Sequence, residues 1–104
     1  MTAEEHVASF NAAVRSGDFT DFVRLFHPDA VLAFVGPPVG PFTGRDEIAA
    51  AYAAQPPDDT LEMGSVRVEG DTELIAFRWS RGGTGTMRLR RRDGLVAELT
   101  VIFD

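Results

Sequence analysis

Few side chains in this chain could do chemistry. Its 104 residues include two histidines, one tyrosine and no cysteine. Without cysteine, the chain can form no disulfide, no thiolate metal site and no cysteine nucleophile. His6, Tyr52 and Arg88 are the candidate catalytic residues that remain. A histidine titrates near neutral pH and can act as acid or base, a tyrosine hydroxyl can bond to a ligand, and an arginine can bind an anionic or carbonyl group.

Each candidate also has a purely structural interpretation. His6 lies one turn before Phe10 on a predicted helix, so it could face the same interior. We nevertheless favour a partly exposed histidine in the first helical turn. We expect Tyr52 to be a hydrogen-bonding wall of a pocket rather than a catalyst. Arg88 belongs to a strand that also carries arginines 90–92, and for this set we favour a solvated strand face.

Sites for metals and cofactors are not expected. His6 and His27 are separated by two predicted helices, with no carboxylate at ligand spacing, so we predict no metal site. Gly82-Gly83-Thr84-Gly85 is rich in glycine but lacks the lysine of a phosphate-binding loop. We interpret it as a flexible hairpin, and we predict no cofactor.

Charge and composition limit the partners of the chain. The net charge is -6 and the pI is about 4.8, which argues against nucleic acid and anionic membrane surfaces as partners. No apolar stretch approaches the roughly 20 residues that span a bilayer. The acidic N-terminus shows no signal peptide pattern. We therefore expect a soluble, cytoplasmic protein with one domain over residues 1–104.

Helical patterns occupy the first half of the chain. Thr2 and Glu5 form a predicted capping box, and Gly17 is a typical helix end. A second helix is predicted after Asp18, with an apolar face that continues to Phe26 and an end at residues 27–29. A third helix is predicted to begin near residues 45–47 and to end before Pro56.

Strand patterns dominate the second half. Residues 30–35 are predicted as a buried strand, followed by an irregular proline-rich loop at 36–41. Four further strands are predicted at 61–69, 73–81, 86–92 and 95–103, and turn residues separate them. The sequence therefore predicts an α+β fold in which an antiparallel meander packs against three N-terminal helices.

Several motifs at the joints of these elements resemble one known group of proteins. They are Ser16-Gly17-Asp18, Phe26-His27-Pro28-Asp29-Ala30-Val31, the third-helix segment from Gly44 to Tyr52, Gly64-Ser65-Val66-Arg67-Val68, Trp79 and Asp93-Gly94. Their order resembles the nuclear transport factor 2-like superfamily, in its ketosteroid isomerase and SnoaL-like branch. The resemblance covers nearly the whole chain.

The resemblance implies a cystatin-like curved sheet wrapped around the helices into a cone with an apolar pocket. It also implies a homodimer through the outer sheet face, where we expect Thr100 and Ile102. Strand alternation and the resemblance together predict an aromatic and aliphatic pocket lining. The predicted pocket residues are Phe10, Phe26, Leu32, Phe34, Tyr52, Ile75, Phe77, Trp79, Met87, Leu99, Val101 and Phe103.

The resemblance also locates the groups that a ketosteroid isomerase uses for proton transfer, which are a carboxylate base and two oxyanion donors. The tyrosine donor corresponds to Phe10, and the base to Phe34, or to Val35 in a shifted register. The acid donor falls near Arg88, with Met87 and Leu89 as alternatives. None of these is a carboxylate or a tyrosine. Tyr52 matches a supporting pocket tyrosine of the family.

Three functions remain open. The first is a domain that binds a small hydrophobic molecule and lacks the usual isomerase groups. The second is an isomerase, cyclase or epoxide-hydrolase-type enzyme with a rebuilt site of His6, Tyr52 and Arg88. The third is a dimeric interaction module whose cavity is filled by its own side chains.

Overall fold

The first helix, α1, covers Ala3–Ser16 in a computed structural model that describes residues 2–104. Its start follows from the predicted capping box. The Glu5 amide donates to Thr2 Oγ1, and the Thr2 amide donates to Glu5 Oε1, each at 3.1 Å. Gly17 ends the helix at φ 78°, and its amide donates to the Ala13 carbonyl at 2.8 Å.

The second helix is much shorter than its apolar pattern predicts. α2 covers only Thr20–Val23, and Phe26 already belongs to the first strand, β1, at Phe26–Val35. The prediction that Phe26 closes the helix and that residues 27–29 end it was therefore wrong. The Val96 amide donates to the Leu25 carbonyl at 2.8 Å, which draws the chain into the sheet. Phe26 is fully buried in β1. Its apolar side chain is therefore consistent both with the apolar face of a helix and with a buried strand.

The remaining elements follow the predicted order with small shifts of their ends. A two-residue strand, β2 at Phe42–Thr43, was not predicted, and α3 covers Arg45–Ala54. β3 covers Leu61–Glu69, β4 Thr72–Trp79, β5 Thr84–Arg92 and β6 Leu95–Phe103. The strand order in the sheet is β2-β1-β6-β5-β4-β3; β1 and β6 pair in parallel, and the other neighbouring strands pair antiparallel.

Irregularities in the pairing bend this sheet around the helices. The register shifts between Met63 and Val66 on β3, and between Arg90 and Arg91 on β5. Such bulges increase local twist and curvature. The cone-shaped α+β fold expected from the sequence is confirmed, and its concave face packs on the helices. The deepest side chains of the core are Phe22, Phe26, Leu32, Ile48, Ile75, Leu89 and Val96.

Candidate ligand cavity

A cavity of about 390 Å³, which we call the main cavity, lies between the helices and the concave face of the sheet. Strand alternation positions its sheet wall, because Met87, Leu99 and Val101 point inward while their neighbours point outward. α1 contributes His6, Val7 and Phe10 from one face. The exposed residues Asp58 and Gly82 lie at its edge, so the cavity opens to solvent on that side.

The aromatic wall of the main cavity is an interlocked group of rings. Phe10 meets Phe22 and Trp79 edge to face, with ring centroids 5.6 and 6.3 Å apart. Trp79 stacks on Phe103 at 5.7 Å. Tyr52 stacks on Phe19 at 4.9 Å with the planes only 8° apart. Contacts of this kind hold ring orientations, so this part of the wall is preformed.

His6 is a buried polar residue of the core and is 1% exposed. Its ring lies 5.3 Å from the ring of Phe22. Nδ1 is buried and has no hydrogen-bond partner among residues 2–104. Burial, and to a smaller extent the charge of Arg91, lowers the pKa of His6 from 6.5 to about 4. The prediction of a partly exposed histidine was wrong, because the face that carries Val7 and Phe10 also takes position 6 into the interior.

Two further polar groups on the wall are shielded from water. Burial raises the pKa of the Tyr52 hydroxyl far above its usual range, so the group stays protonated. Trp79 Nε1 is buried and, in the described part of the chain, has no acceptor. A buried donor without an acceptor costs about 1–3 kcal/mol. Such groups in a cavity wall are candidate contacts for a ligand.

Arg88 does not join His6 and Tyr52. It is exposed, because strand alternation turns it outward between the buried Met87 and Leu89. The predicted constellation of three residues is therefore not formed. The next arginine on the inward side of β5 is Arg91, which strand alternation turns toward the interior like Met87 and Leu89. Arg91 forms an ion pair with Glu73, and its side chain is 18% exposed, so the predicted solvated arginine face does not include it.

Eight of the twelve predicted pocket residues line the main cavity, namely Phe10, Phe34, Tyr52, Trp79, Met87, Leu99, Val101 and Phe103. Phe26, Ile75 and Phe77 are instead buried in the core beside it. Leu32 lines a smaller, neighbouring space. Inward direction along a strand predicts burial, but it does not distinguish a packed core from a cavity wall.

Some lining residues were not predicted. Val7 and Phe22 carried a usable signal, because each shares a face with a predicted inward residue, whereas Leu61 lies opposite Trp79 through strand pairing that the sequence does not show. Four further lining residues lie in loops at the cavity mouth, where periodicity does not show which way a side chain points. They are Pro57, Asp58, Asp59 and Gly82.

Arg81 connects the two sides of this mouth. Its Nη1 pairs with Asp58 at 3.2 Å, and its amide donates to Asp59 at 3.1 Å.

Two of the positions that the resemblance assigned to proton-transfer groups, Phe10 and Phe34, are apolar and line the main cavity. Arg88, the position nearest the acid donor, is exposed, and its alternative Met87 lines the cavity. In residues 2–104, no group of three or more histidine, aspartate or glutamate side chains is placed to hold a metal ion. None of the helices described is long and apolar enough to cross a bilayer.

A side compartment of about 270 Å³ adjoins the main cavity. It lies between α3, β1 and the loop before β2. Phe34, Tyr52 and Pro57 line both spaces and thus form the partition between them. The other walls of the side compartment are Leu32, Val39, Phe42, Ala51, Ala54 and Gln55.

Known structures share this architecture. A proposed isomerase from Bacillus subtilis superposes with a TM-score of 0.77 and 18% identity, over 98% of this chain and 86% of its own. A proposed polyketide cyclase from Sinorhizobium meliloti gives a TM-score of 0.73 and 22% identity, over 93% of each chain. A nuclear transport factor 2-like protein of unknown function from Burkholderia xenovorans gives 0.72 and 20%, over 97% and 81%.

These identities are low, so the three structures support the fold alone. None of the curated proteins compared with the chain matches it in sequence. The family model for the SnoaL-like domain matches residues 7–99, from the first helix to the last strand. The chain therefore belongs to the SnoaL-like domain family of the nuclear transport factor 2-like superfamily, as its sequence motifs predict.

Proposed function

We propose that this SnoaL-like domain binds a small, predominantly apolar molecule in the main cavity. The observation that carries the proposal is an open space of about 390 Å³ with a predominantly apolar and aromatic wall. Ligand pockets in proteins begin at roughly 300 Å³ and combine apolar walls with a few polar groups. His6 and Trp79 supply such groups, since each carries a buried nitrogen that has no partner among residues 2–104.

An unfilled space of this size argues against the interaction module, which requires the side chains to fill the cavity. Phe10 and Phe34, at the positions of the tyrosine donor and of the base, argue against isomerisation by the usual groups of the family. Loss of a general base alone removes a factor of roughly 10²–10⁴ in rate. Binding of a small molecule is the function that needs neither a filled cavity nor those groups.

A thermal-shift screen tests the proposal with steroids, aromatic polyketides, terpene epoxides and fatty acids. A ligand at about 100 times its Kd adds about 2.7 kcal/mol to the free energy of unfolding. For a domain of this size, that raises the Tm by roughly 10 °C or more. We expect at least one of these classes to give such a shift.

A pair of variants locates the binding. Val101→Phe places a larger side chain in the wall of the main cavity, and we expect it to abolish the shift. Val68→Phe makes the same chemical change at an exposed position on β3 and should leave the shift intact. If both variants bind like the original protein, or if no class shifts the Tm, the main cavity is not a binding site for these molecules.

A second candidate function is proton transfer to or from the bound molecule, and His6 is the observation that favours it. A neutral imidazole in the cavity wall can accept a proton from a ligand held against it. In that case His6→Gln should lower the turnover of a bound substrate roughly 10²-fold or more, a larger factor than the change in its Kd. Equal turnover by the two proteins would eliminate this candidate.

A further inference from the structure

We infer that the side compartment is a second subsite, which takes an apolar tail of the ligand bound in the main cavity. This inference rests on the proposed function and adds the shape of the ligand to it. The ligand would then be elongated, with its polar group on the His6 side and a hydrocarbon tail that passes the partition of Phe34, Tyr52 and Pro57.

The contacts of the partition residues indicate which of their side chains can move to let a ligand tail pass. Tyr52 is 6% exposed and is held by its parallel stack on Phe19 and by an edge contact with Phe22. Phe34 is only half-buried, and within the described part of the chain its ring pairs with one other, that of Phe42 at 6.5 Å. The side chain of Phe34 therefore has room to turn, whereas the ring of Tyr52 is fixed. Phe34 would set the width of the passage.

The walls of the side compartment identify the chemistry of its occupant. Apart from Gln55 and the shared Tyr52, they are aliphatic, aromatic or proline side chains. Val39 is 40% exposed although it faces this space, and Phe42 is half-buried. A hydrocarbon segment would cover this apolar surface, and each buried methylene strengthens binding about fourfold. A charged segment would find no side chain of opposite charge among these lining residues.

Two residues on α3 allow a matched test. Ala51 lines the side compartment, and Ala53, two positions later, lines only a separate surface groove. Affinities of straight-chain hexanol and decanol are measured by calorimetry for the original protein, Ala51→Phe and Ala53→Phe. We expect Ala51→Phe to weaken decanol binding at least about tenfold while hexanol binding changes less than about twofold. Ala53→Phe should change neither.

A comparison of straight and branched alcohols tests whether Phe34 sets the width of the passage. Tetrahydrogeraniol is a branched isomer of decanol and has a wider tail. The original protein should prefer decanol, and Phe34→Ala should reduce that preference at least about threefold because the passage widens. If Ala51→Phe does not fold, Ala54→Leu fills the same compartment from a more exposed position.

The outcomes separate the two proposals. If the original protein binds both alcohols and the ratio of their affinities is the same in Ala51→Phe and Ala53→Phe, the side compartment is not a subsite, although the main cavity binds ligands. If the original protein binds neither alcohol, nor any molecule of the thermal-shift panel, the proposed function fails and the inference fails with it.

Discussion

The imidazole of His6 lies against Phe22 and Phe26, and its Nδ1 has no partner in the described residues. Because the folded protein disfavours the charged ring, the pKa of His6 is about 4 in the native state and 6.5 when the chain is unfolded. Between these values the unfolded chain binds more protons than the native one. The free energy of unfolding therefore falls as the pH decreases through this window.

We predict that the His6 contribution lowers the free energy of unfolding by about 2 kcal/mol between pH 7 and pH 5. Chemical denaturation at the two pH values measures it, with His6→Gln as reference for all other titrating groups. The loss should be smaller in the variant by about this amount. An equal loss in both proteins would show that His6 is not buried as a neutral ring.

Gly85 is a second residue whose role is decided by its neighbours. It was predicted to belong to a flexible hairpin, but it is buried in β5, opposite Phe77 and Phe103. A Cβ at this position would overlap the Ile102 carbonyl and lie 2.5 Å from Phe77 Cζ. Its missing side chain makes room for the aromatic wall.

Gly85→Ala should therefore destabilise the protein by at least about 2 kcal/mol, because the neighbouring strands cannot move away from the added methyl group. Gly64→Ala is the matched control on β3, where the nearest atom to the new Cβ is the Ala76 carbonyl oxygen at 3.3 Å. We expect a loss of less than about 1 kcal/mol there. Urea denaturation compares the two variants, and an equal effect would contradict the packing argument.

At the scale of elements, Asn11 fastens α1 to the edge strand β3. Its Nδ2 donates to the Leu61 carbonyl and its Oδ1 accepts from the Leu61 amide, both at 2.9 Å. Leu61 itself lines the main cavity. One side chain thus satisfies both backbone groups at the start of the strand and holds the helix at one side of the cavity.

Asn11→Ala should cost about 1–2 kcal/mol, because it leaves two partly buried backbone groups without partners. Hydrogen exchange at the Leu61 amide should accelerate more than at the amides in the middle of β5. Ser9→Ala on the same helix keeps the Leu61 contacts and is the control. Unchanged exchange at Leu61 in Asn11→Ala would mean that the clamp does not hold the strand.

Elements with a clear local signal were predicted well, and those decided by long-range contacts were not. The capping box of α1 and the ends of β3 and β6 follow from residues within the element itself. The early end of α2 depends on a bond between Leu25 and Val96, far apart in the sequence. Arg91 faces inward by the same alternation as Met87 and Leu89, but its ion pair with Glu73 on the neighbouring strand is a contact between distant parts of the sequence. The apolar periodicity of the sequence carries no information about either of these long-range contacts.

Prediction of the main cavity also succeeded where the signal is local and failed where it depends on long-range packing. Inward-facing strand residues gave most of the sheet wall, because alternation is a local property. The space itself was not predictable from the sequence, since it depends on whether neighbouring elements fill the volume between them. Ile75 and Phe77 face the same way as Met87, yet they lie in packed core.

At the scale of the whole molecule, a homodimer through the outer sheet face stays a prediction. Arg88 pairs with Thr100, and Thr86 with Ile102, on this outward surface. If the dimer forms there, Ile102→Arg should convert it to a monomer through charge repulsion and loss of apolar contact. Sedimentation analysis of both proteins measures this. A monomeric original protein, or a variant that stays dimeric, would contradict the assignment of this face.

Trp79 offers the most direct test of the cavity as a binding site, because it is the only tryptophan of the chain and lies in the wall. A non-aromatic apolar ligand such as decanol can be titrated while Trp79 emission is recorded. Entry of the ligand displaces water from the ring, so we predict a saturable shift of the emission to shorter wavelength that Val101→Phe abolishes and Val68→Phe preserves. A linear, non-saturating response that is identical in all three proteins would contradict binding in the main cavity.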